Sequence, residues 1–469
     1  MNENLINHLL ARLAASDMPA ISPGPDRSPV HVVYGGAHLF RADTPAKFGR
    51  LATQSIENYA PNFAEFARAL WLNGCEILPR DKSAIEDLEF SLADDPELAR
   101  KKSPEAWFAW TIFRKTLKKL ETAPVEDFRI DFEDGYGIRT DLEEDGHCET
   151  ASAELARLFD SADSKARPPG SGIRVKSFQP ETRHRALRTF ELFMSGLVEK
   201  TGGRIPEGFV VTLPKIIGPA ETETLAMLLD DFERRNGITN GTIGIEIVVE
   251  TLEALPVLRE IAEGCGGRCT SAHFGAFDFT SRYGIAAVHQ HIRHQACDFA
   301  RNVMQLSLAP LGIRLSDSVT TQMPIPVHRS GNLSIEQIAE NQLAVREAWR
   351  RHFNNILHSQ INGFYQSWDL HPAQLVPRYA AVYVCFLESF DAQAKRLHGF
   401  IEKATQAMTT GNMFDDLASA EGLLNFFRQG LRCGAFAAER VAAVTGLKAS
   451  EIQAGTFIQI MENRFAQNA

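Results

Sequence analysis

No apolar stretch in this chain approaches the roughly 18 residues needed to cross a bilayer, so no transmembrane segment is expected. Disulfide scaffolding is also missing. The seven cysteines (Cys75, Cys148, Cys265, Cys269, Cys297, Cys385 and Cys433) are odd in number and scattered, which fits reduced thiols in a cytoplasmic protein. Cys265 and Cys269 bracket a Gly-Gly turn, but no second ligand pair follows, so zinc is not expected. Positive charge is in deficit: 49 Lys and Arg against 59 Asp and Glu leave a net charge of −10. Nucleic acid and anionic membrane surfaces are therefore not the expected partners. The opening residues, MNENLINHLLARLAAS, form an amphipathic helix pattern without the basic start, uninterrupted apolar core or cleavage site of a secretory signal. Tandem repeats and low-complexity segments are lacking, and no GxGxxG phosphate turn follows the first strand-like run, where YGGAHLF stands instead.

What is present is a series of short apolar runs separated by helical patterns. Val30–Tyr34 is the first, closed by Gly35-Gly36, which either let a backbone or ligand approach closely or make a turn, the turn being the expectation. Residues 44–127 read as helices broken at Pro61, Pro79 and Pro104, an insertion between the first and second strands. Further strands are expected at Phe128–Phe132, in SGIRVKSF (171–178), in EGFVVTLPKI (207–216), at Ile243–Val249, at Ser271–Phe277, in IRLSDSVTTQMP (313–324) and in INGFYQSWDLHPAQL (361–375), which ends at His371-Pro372. Residues 288–308 read as one long surface helix, with His291 and His294 three apart. Ser334-x-x-Gln337 is a capping-box pattern that opens another helix, to Asn355. Eight strand–helix units define an α/β fold, a (β/α)₈ TIM barrel with a helical insertion at 44–127 and a helical C-terminal extension at 384–469. Residues 1–29 make an N-terminal helix and connector, residues 30–383 the barrel, and a boundary falls near Gly411. Branched apolar side chains are expected to fill the barrel.

Chemistry gathers at the trailing ends of these strands. Glu250 and Asp278 are 278 − 250 = 28 residues apart, one βα unit, which places them on neighbouring strands at one edge. Two adjacent carboxylates suit Mg²⁺, which takes one or two acids plus water and substrate oxygens. Acids in these places equally cap the helices that follow. Asp131, Glu133 and Asp134 repel one another unless a cation, proton or arginine is near. Alternatively they form a solvated turn with Gly135. Arg174 is a natural fork for a substrate carboxylate, or a structural ion pair to that acidic cluster. Lys215 follows Pro214, and His371 reads as an acid/base, a pocket donor or a structural histidine.

DFEDG (131–135), IRVKS (173–177), LPKI (213–216), GIEIVVET (244–251), HFGAFDF (273–279) and DLHPAQL (369–375) stand in an order that resembles the citrate lyase β-subunit and HpcH/HpaI aldolase family. That family belongs to the phosphoenolpyruvate/pyruvate barrel superfamily, which also holds malate synthase. The resemblance spans roughly Val30–Tyr383, interrupted by the insertion. It implies Mg²⁺- or Mn²⁺-dependent cleavage or formation of a carbon–carbon bond next to a carbonyl, on a 2-oxoacid or acyl-CoA substrate. Glu250 and Asp278 would be the metal ligands. Arg174 would hold the substrate carboxylate, with His371 beside it. Glu133, with Asp131, would position metal-bound water or assist proton transfer, and Lys215 matches the family's Pro-Lys position. The insertion and the tail of about 90 residues exceed the compact citrate lyase β-subunit. In malate synthase a C-terminal helical region supplies a catalytic aspartate, a part open here to Glu388 or Asp391. A malate-synthase-like condensation of acetyl-CoA with a 2-oxoacid is the alternative activity. A phosphoryl-transfer or non-catalytic relative on the same barrel is another. Homo-oligomerisation is implied by the family; WFAW (107–110) and LLNFF (423–427) serve either interfaces or internal packing.

Overall fold

The computed structural model describes residues 28–161, 167–410 and 417–468. The N-terminal helix expected before residue 28 and the boundary near Gly411 lie outside the described residues. Eight parallel strands close in sequential order into one barrel: β1 (His31–Gly36), β2 (Asp127–Asp131), β3 (Gly170–Arg174), β4 (Val210–Leu213), β5 (Gly244–Val249), β6 (Cys269–Phe274), β7 (Arg314–Val319) and β8 (Gln366–Asp369), with β8 pairing back to β1. This is the (β/α)₈ architecture with helical additions.

The insertion is five helices, α1 (Thr44–Tyr59), α2 (Phe63–Leu70), α3 (Lys82–Asp94), α4 (Pro96–Lys102) and α5 (Pro104–Thr122). Around the barrel follow α6 (Asp141–Phe159), α7 (Arg183–Thr201), α8 (Pro219–Arg235), α9 (Leu258–Gly264), α10 (Ala276–Arg282), α11 (Gln295–Leu308), α12 (Ile335–Ile361) and α13 (Leu375–Leu387). The C-terminal extension adds α14 (Phe390–Thr410), α15 (Leu417–Arg432), α16 (Ala438–Thr445), α17 (Ala449–Ala454) and α18 (Phe457–Asn468). Among the described residues no helix is long and apolar enough to cross a membrane. Ser334 caps α12 as its sequence announces: its hydroxyl accepts the Gln337 N–H, and the Gln337 side chain returns to the Ser334 N–H.

Four local expectations are corrected. Gly35 and Gly36 are not a turn but the last two residues of β1, paired with Ile130 and Asp131. A Cβ on Gly35 would lie 2.8 Å from the Phe128 ring, and one on Gly36 would lie 2.5 Å from the Gly135 carbonyl oxygen. Gly36 therefore lets backbone approach backbone, and Gly35 makes room for the Phe128 ring. The sixth strand stops at Phe274, and residues 276–282 are helical. Asp278 accordingly lies in the first turn of α10 rather than on a strand end. The helix expected over 288–308 begins only at Gln295, preceded by a short turn at Ala287–His289.

The barrel interior is the fourth correction, because it is largely polar. Glu246 of β5 is fully buried and accepts hydrogen bonds from Arg129 Nε (2.9 Å) and Nη2 (2.7 Å), Thr212 (2.7 Å), Ser271 (2.6 Å) and Tyr34 (3.2 Å). His273 Nε2 lies 2.6 Å from Glu246 without hydrogen-bond alignment. Burial opposes the Glu246 charge, but Arg129 and His273 hold its carboxyl well below the ordinary range. Apolar filling is confined to a small inner cluster of Val32, Tyr34, Val248, Val319 and Trp368. The main core lies instead between the strands and the helices. Both aromatic stretches of the sequence pack internally. Leu424 and Phe427 are fully buried, and Trp107, Phe108 and Trp110 lean on the main core.

Candidate active site

Parallel strands of a closed barrel deliver whatever follows their last residue to one rim, and six of the seven candidate residues arrive there as one consequence. Asp131 is the last residue of β2. It accepts Arg174 Nε at 2.7 Å and Nη2 at 2.5 Å, plus the backbone N–H groups of Glu133 (2.9 Å) and Gly135 (2.8 Å). Its carboxylate is saturated: it staples the DFEDG turn and orients the arginine. Arg174, at the end of β3, is buried, with its guanidinium 4.8 Å from the Tyr34 ring and 5.8 Å from the Trp368 ring. Burial opposes its charge, yet Asp131 and Glu133 outweigh burial and keep it protonated. Its Nη1 is the edge that Asp131 leaves open, 3.4 Å from Glu133.

Two residues beyond β4, Lys215 takes a left-handed backbone conformation, φ +55°. For a residue with a Cβ this conformation costs on the order of 1–3 kcal/mol and clusters at functional positions. That turn aims the Lys215 N–H at Glu250 Oε1 (2.8 Å), while Nζ meets Glu133 and lies 3.1 Å from Asp134. Glu250 directly follows β5 and is 2 % exposed. Burial pushes its carboxyl up to about 8, against the pull of Lys215 and with a further push from Asp278 and Glu133. Glu133 is likewise raised by burial, against Arg174 and Lys215. Glu250, Asp278, Glu133, Lys215 and Arg174 thus feel one another's charge.

His371 is the member not brought into this group. Its Nδ1 accepts the Ala373 N–H at 3.2 Å and caps the short turn Pro372–Gln374, and burial lowers its pKa. Glu388 and Asp391 lie at the other end of α13, where Glu388 accepts from Asn73, and Asp391 pairs with Arg100. They tie the extension to the insertion. Sequence reasoning missed Gly275, Tyr34 and Trp368. A Cβ on Gly275 would stand 2.5 Å from Glu250 Oε2, so this glycine makes the room that the Glu250 side chain occupies. A glycine directly after an apolar strand was its only signal.

Among the described residues no group of three or more His, Cys, Asp or Glu side chains forms a cage for a metal ion. Glu250 and Asp278 still fit a divalent cation that takes two carboxylates and fills its other positions with water and substrate. Glu250 is buried, electrostatically stressed, and packed where only glycine fits at position 275. A separate cavity of about 550 Å³ opens at the opposite barrel end, beside Asp127, Arg129 and Arg268. Those arginines are already paired, Arg129 with Asp127 and Glu246, and Arg268 with Glu233 and Asp230. Catalytic groups of such barrels sit at the strand C-termini, so the cavity is not assigned this chemistry.

Fold and site together define a (β/α)₈ barrel protein with a buried acid–cation cluster at its C-terminal rim. Residues 13–460 match the model of a family described as a domain of unknown function (DUF6986), and the chain belongs to that family. No curated protein matches it. Among solved structures it is similar to a citrate lyase from Burkholderia xenovorans LB400, with 19 % identity over 72 % of this chain and 93 % of the other and a TM-score of 0.47. It is also similar to a Haloferax volcanii malate synthase in a magnesium–glyoxylate complex (14 %, covering 74 % and 92 %, TM-score 0.43). A citrate lyase β-subunit from M. tuberculosis complexed with oxaloacetate and magnesium gives 16 %, covering 55 % and 87 %, TM-score 0.35. Likenesses at these identities and scores lend the site no chemistry.

Proposed function

We propose that this protein is a divalent-cation-dependent carbon–carbon lyase or aldolase acting next to the carbonyl of a 2-oxoacid or hydroxyacyl-CoA substrate. The observation that carries this reading is Glu250: a carboxylate 2 % exposed, pushed up to about 8, packed against Gly275 where no Cβ would fit, and within reach of the Asp278 charge. Asp131 and Glu246 are each bound by an arginine guanidinium, whereas the hydrogen bond to Glu250 comes from the Lys215 backbone N–H. The six ordered motifs shared with the citrate lyase β-subunit and HpcH/HpaI aldolases support the same class.

Glu250 and Asp278 would hold the cation, whose charge, when bound, stabilises the enolate oxygen that such bond cleavage develops. Arg174, fixed by Asp131 and backed by Tyr34, turns Nη1 toward a substrate carboxylate. Glu133, raised by burial and touched by Lys215, is placed to carry a proton to or from the reacting carbon. Lys215 sets the distance between Glu133 and Glu250 by bonding both.

The test is turnover by the purified protein with Mg²⁺, screening hydroxy-oxoacids and hydroxyacyl-CoA esters for released pyruvate or acetyl-CoA. Thiol release from acetyl-CoA with glyoxylate would mark the condensing direction. Glu250→Ala and Asp278→Ala are each expected to cut kcat at least about a hundredfold. Undiminished turnover in EDTA refutes the cation's role.

A further inference from the structure

The rim of the barrel is divided into two unlike halves. From β2 to β6 the strand ends bring Asp131, Glu133, Arg174, Lys215, Glu250 and Asp278. From β7 through β8 to β1 they bring Val319, Leu370 and Gly36. Of the charges on that second side, Asp317 of β7 is paired with Arg301 at 2.9 Å, and Asp369 points outward. It is held by His31 Nδ1 (2.7 Å), His352 Nε2 (2.7 Å) and Arg378 Nη2 (2.8 Å) on the helix side of the sheet. Facing inward instead are Val32, Tyr34, Val248, Val319 and Trp368, with the Tyr34 and Trp368 rings stacked at 4.5 Å. Phe277 of α10 and Leu370 pack on this cluster and are only half-buried. Apolar surface is thus presented directly beside the charged groups.

Beyond the Arg174 Nη1 edge that receives the head carboxylate, the cations of the charged half are already committed. Arg174 is held by Asp131, Lys215 by Glu133 and Asp134, and Lys176 by Glu144 at 2.8 Å. A ligand with a second carboxylate would leave it against Phe277, Leu370 and Val319, where an unpaired charge is expensive. An apolar substituent in the same place loses water from both surfaces.

We propose that the substrate carries an apolar substituent, branched aliphatic or aryl, lodged against Val319, Trp368, Leu370 and Phe277, while its carbonyl–carboxylate head meets Arg174 and the Glu250–Asp278 pair. This rests on the lyase reading above for the head and adds the identity of the tail. Calorimetric titration of the full chain with saturating Mg²⁺ tests it, using pyruvate, 2-oxoglutarate, 4-methyl-2-oxopentanoate and phenylpyruvate as probes. One of the two apolar acids is expected to bind at least about tenfold tighter than pyruvate, the discrimination that an apolar pocket gives added carbon. Leu370→Ala, or Val319→Thr should the first variant fail to fold, is expected to narrow that ratio. If the acids bind but 2-oxoglutarate is tightest, or the apolar acids gain nothing over pyruvate, the tail assignment is overturned and the head reading stands. If none of the four binds, the head reading fails and the tail assignment falls with it.

Discussion

Glu250→Gln should make the metal-free protein more stable, not less. Glutamine keeps an oxygen to accept the Lys215 N–H and removes the ionisable proton. The native carboxyl is raised from 4.5 to about 8, so the folded chain binds that proton more tightly than the unfolded one. Below about pH 4.5 both states are protonated, and this contribution to stability is fully present. Between 4.5 and about 8 the unfolded chain ionises while the native chain resists, and stability falls as pH rises, by up to about 1.4 kcal/mol per unit. Over that window the loss approaches about 5 kcal/mol, and above about 8 it levels off. Glu250→Gln removes the slope. Urea unfolding followed by circular dichroism in EDTA, from pH 5 to 9, should show parent and variant nearly alike at pH 5 and the variant ahead by a few kcal/mol at pH 8.5. Mg²⁺ should then restore the parent alone, by about 2.7 kcal/mol at a hundred times its Kd. Parallel pH curves for the two proteins, or a variant weaker at pH 8.5, would refute the claim that Glu250 is stressed by burial.

Two further outcomes follow from named contacts. Gly275→Ala puts a methyl 2.5 Å from Glu250 Oε2 and should weaken Mg²⁺ binding at least about tenfold by calorimetry, with the barrel's circular dichroism retained. Asp369 has its carboxyl held well below the usual range: burial opposes its charge, and Arg378, His31 and His352 outweigh burial. It therefore contributes stability above its unfolded pKa that is lost as pH falls through the folded value. Asp369→Asn should lower stability at pH 7 and flatten the acid limb of the unfolding curve; an unchanged acid limb would contradict this.

The barrel was legible because several strands, β4 and β5 among them, are short apolar runs, and Arg174, Lys215 and Glu250 fall at or within two residues of their strand ends. Asp278 escaped that logic. AFDF continues the apolar run of β6, and only the backbone shows that Phe274-Gly275 ends the strand and that the aspartate rides the next helix. Gly35-Gly36 was misread because a glycine pair signals a turn locally, whereas here the reason lies across the sheet in Phe128 and Gly135. His371 looked functional beside its motif, yet its visible work is a cap. Arg129 and Glu246 went unnoticed, since each looks like the polar phase of an alternating strand. Their pairing spans 117 residues, which no local pattern reports.

That pairing bears on why the site has its shape. Burying an ionised glutamate costs several kcal/mol unless its oxygens are satisfied, and Glu246 is satisfied only when β1, β2, β4, β5 and β6 stand in one register, since Tyr34, Arg129, Thr212 and Ser271 reach it from four of them. An apolar plug would tolerate small slips between strands; this one does not. Tyr34, fixed by its hydroxyl to Glu246, stacks on Trp368 and carries the Arg174 guanidinium on its face. Trp368 is held in turn by its N–H on His273 Nδ1. The polar interior is thus the foundation on which Arg174 is oriented. The cost of burying its charges is met by contacts that also set the position of the groups above them.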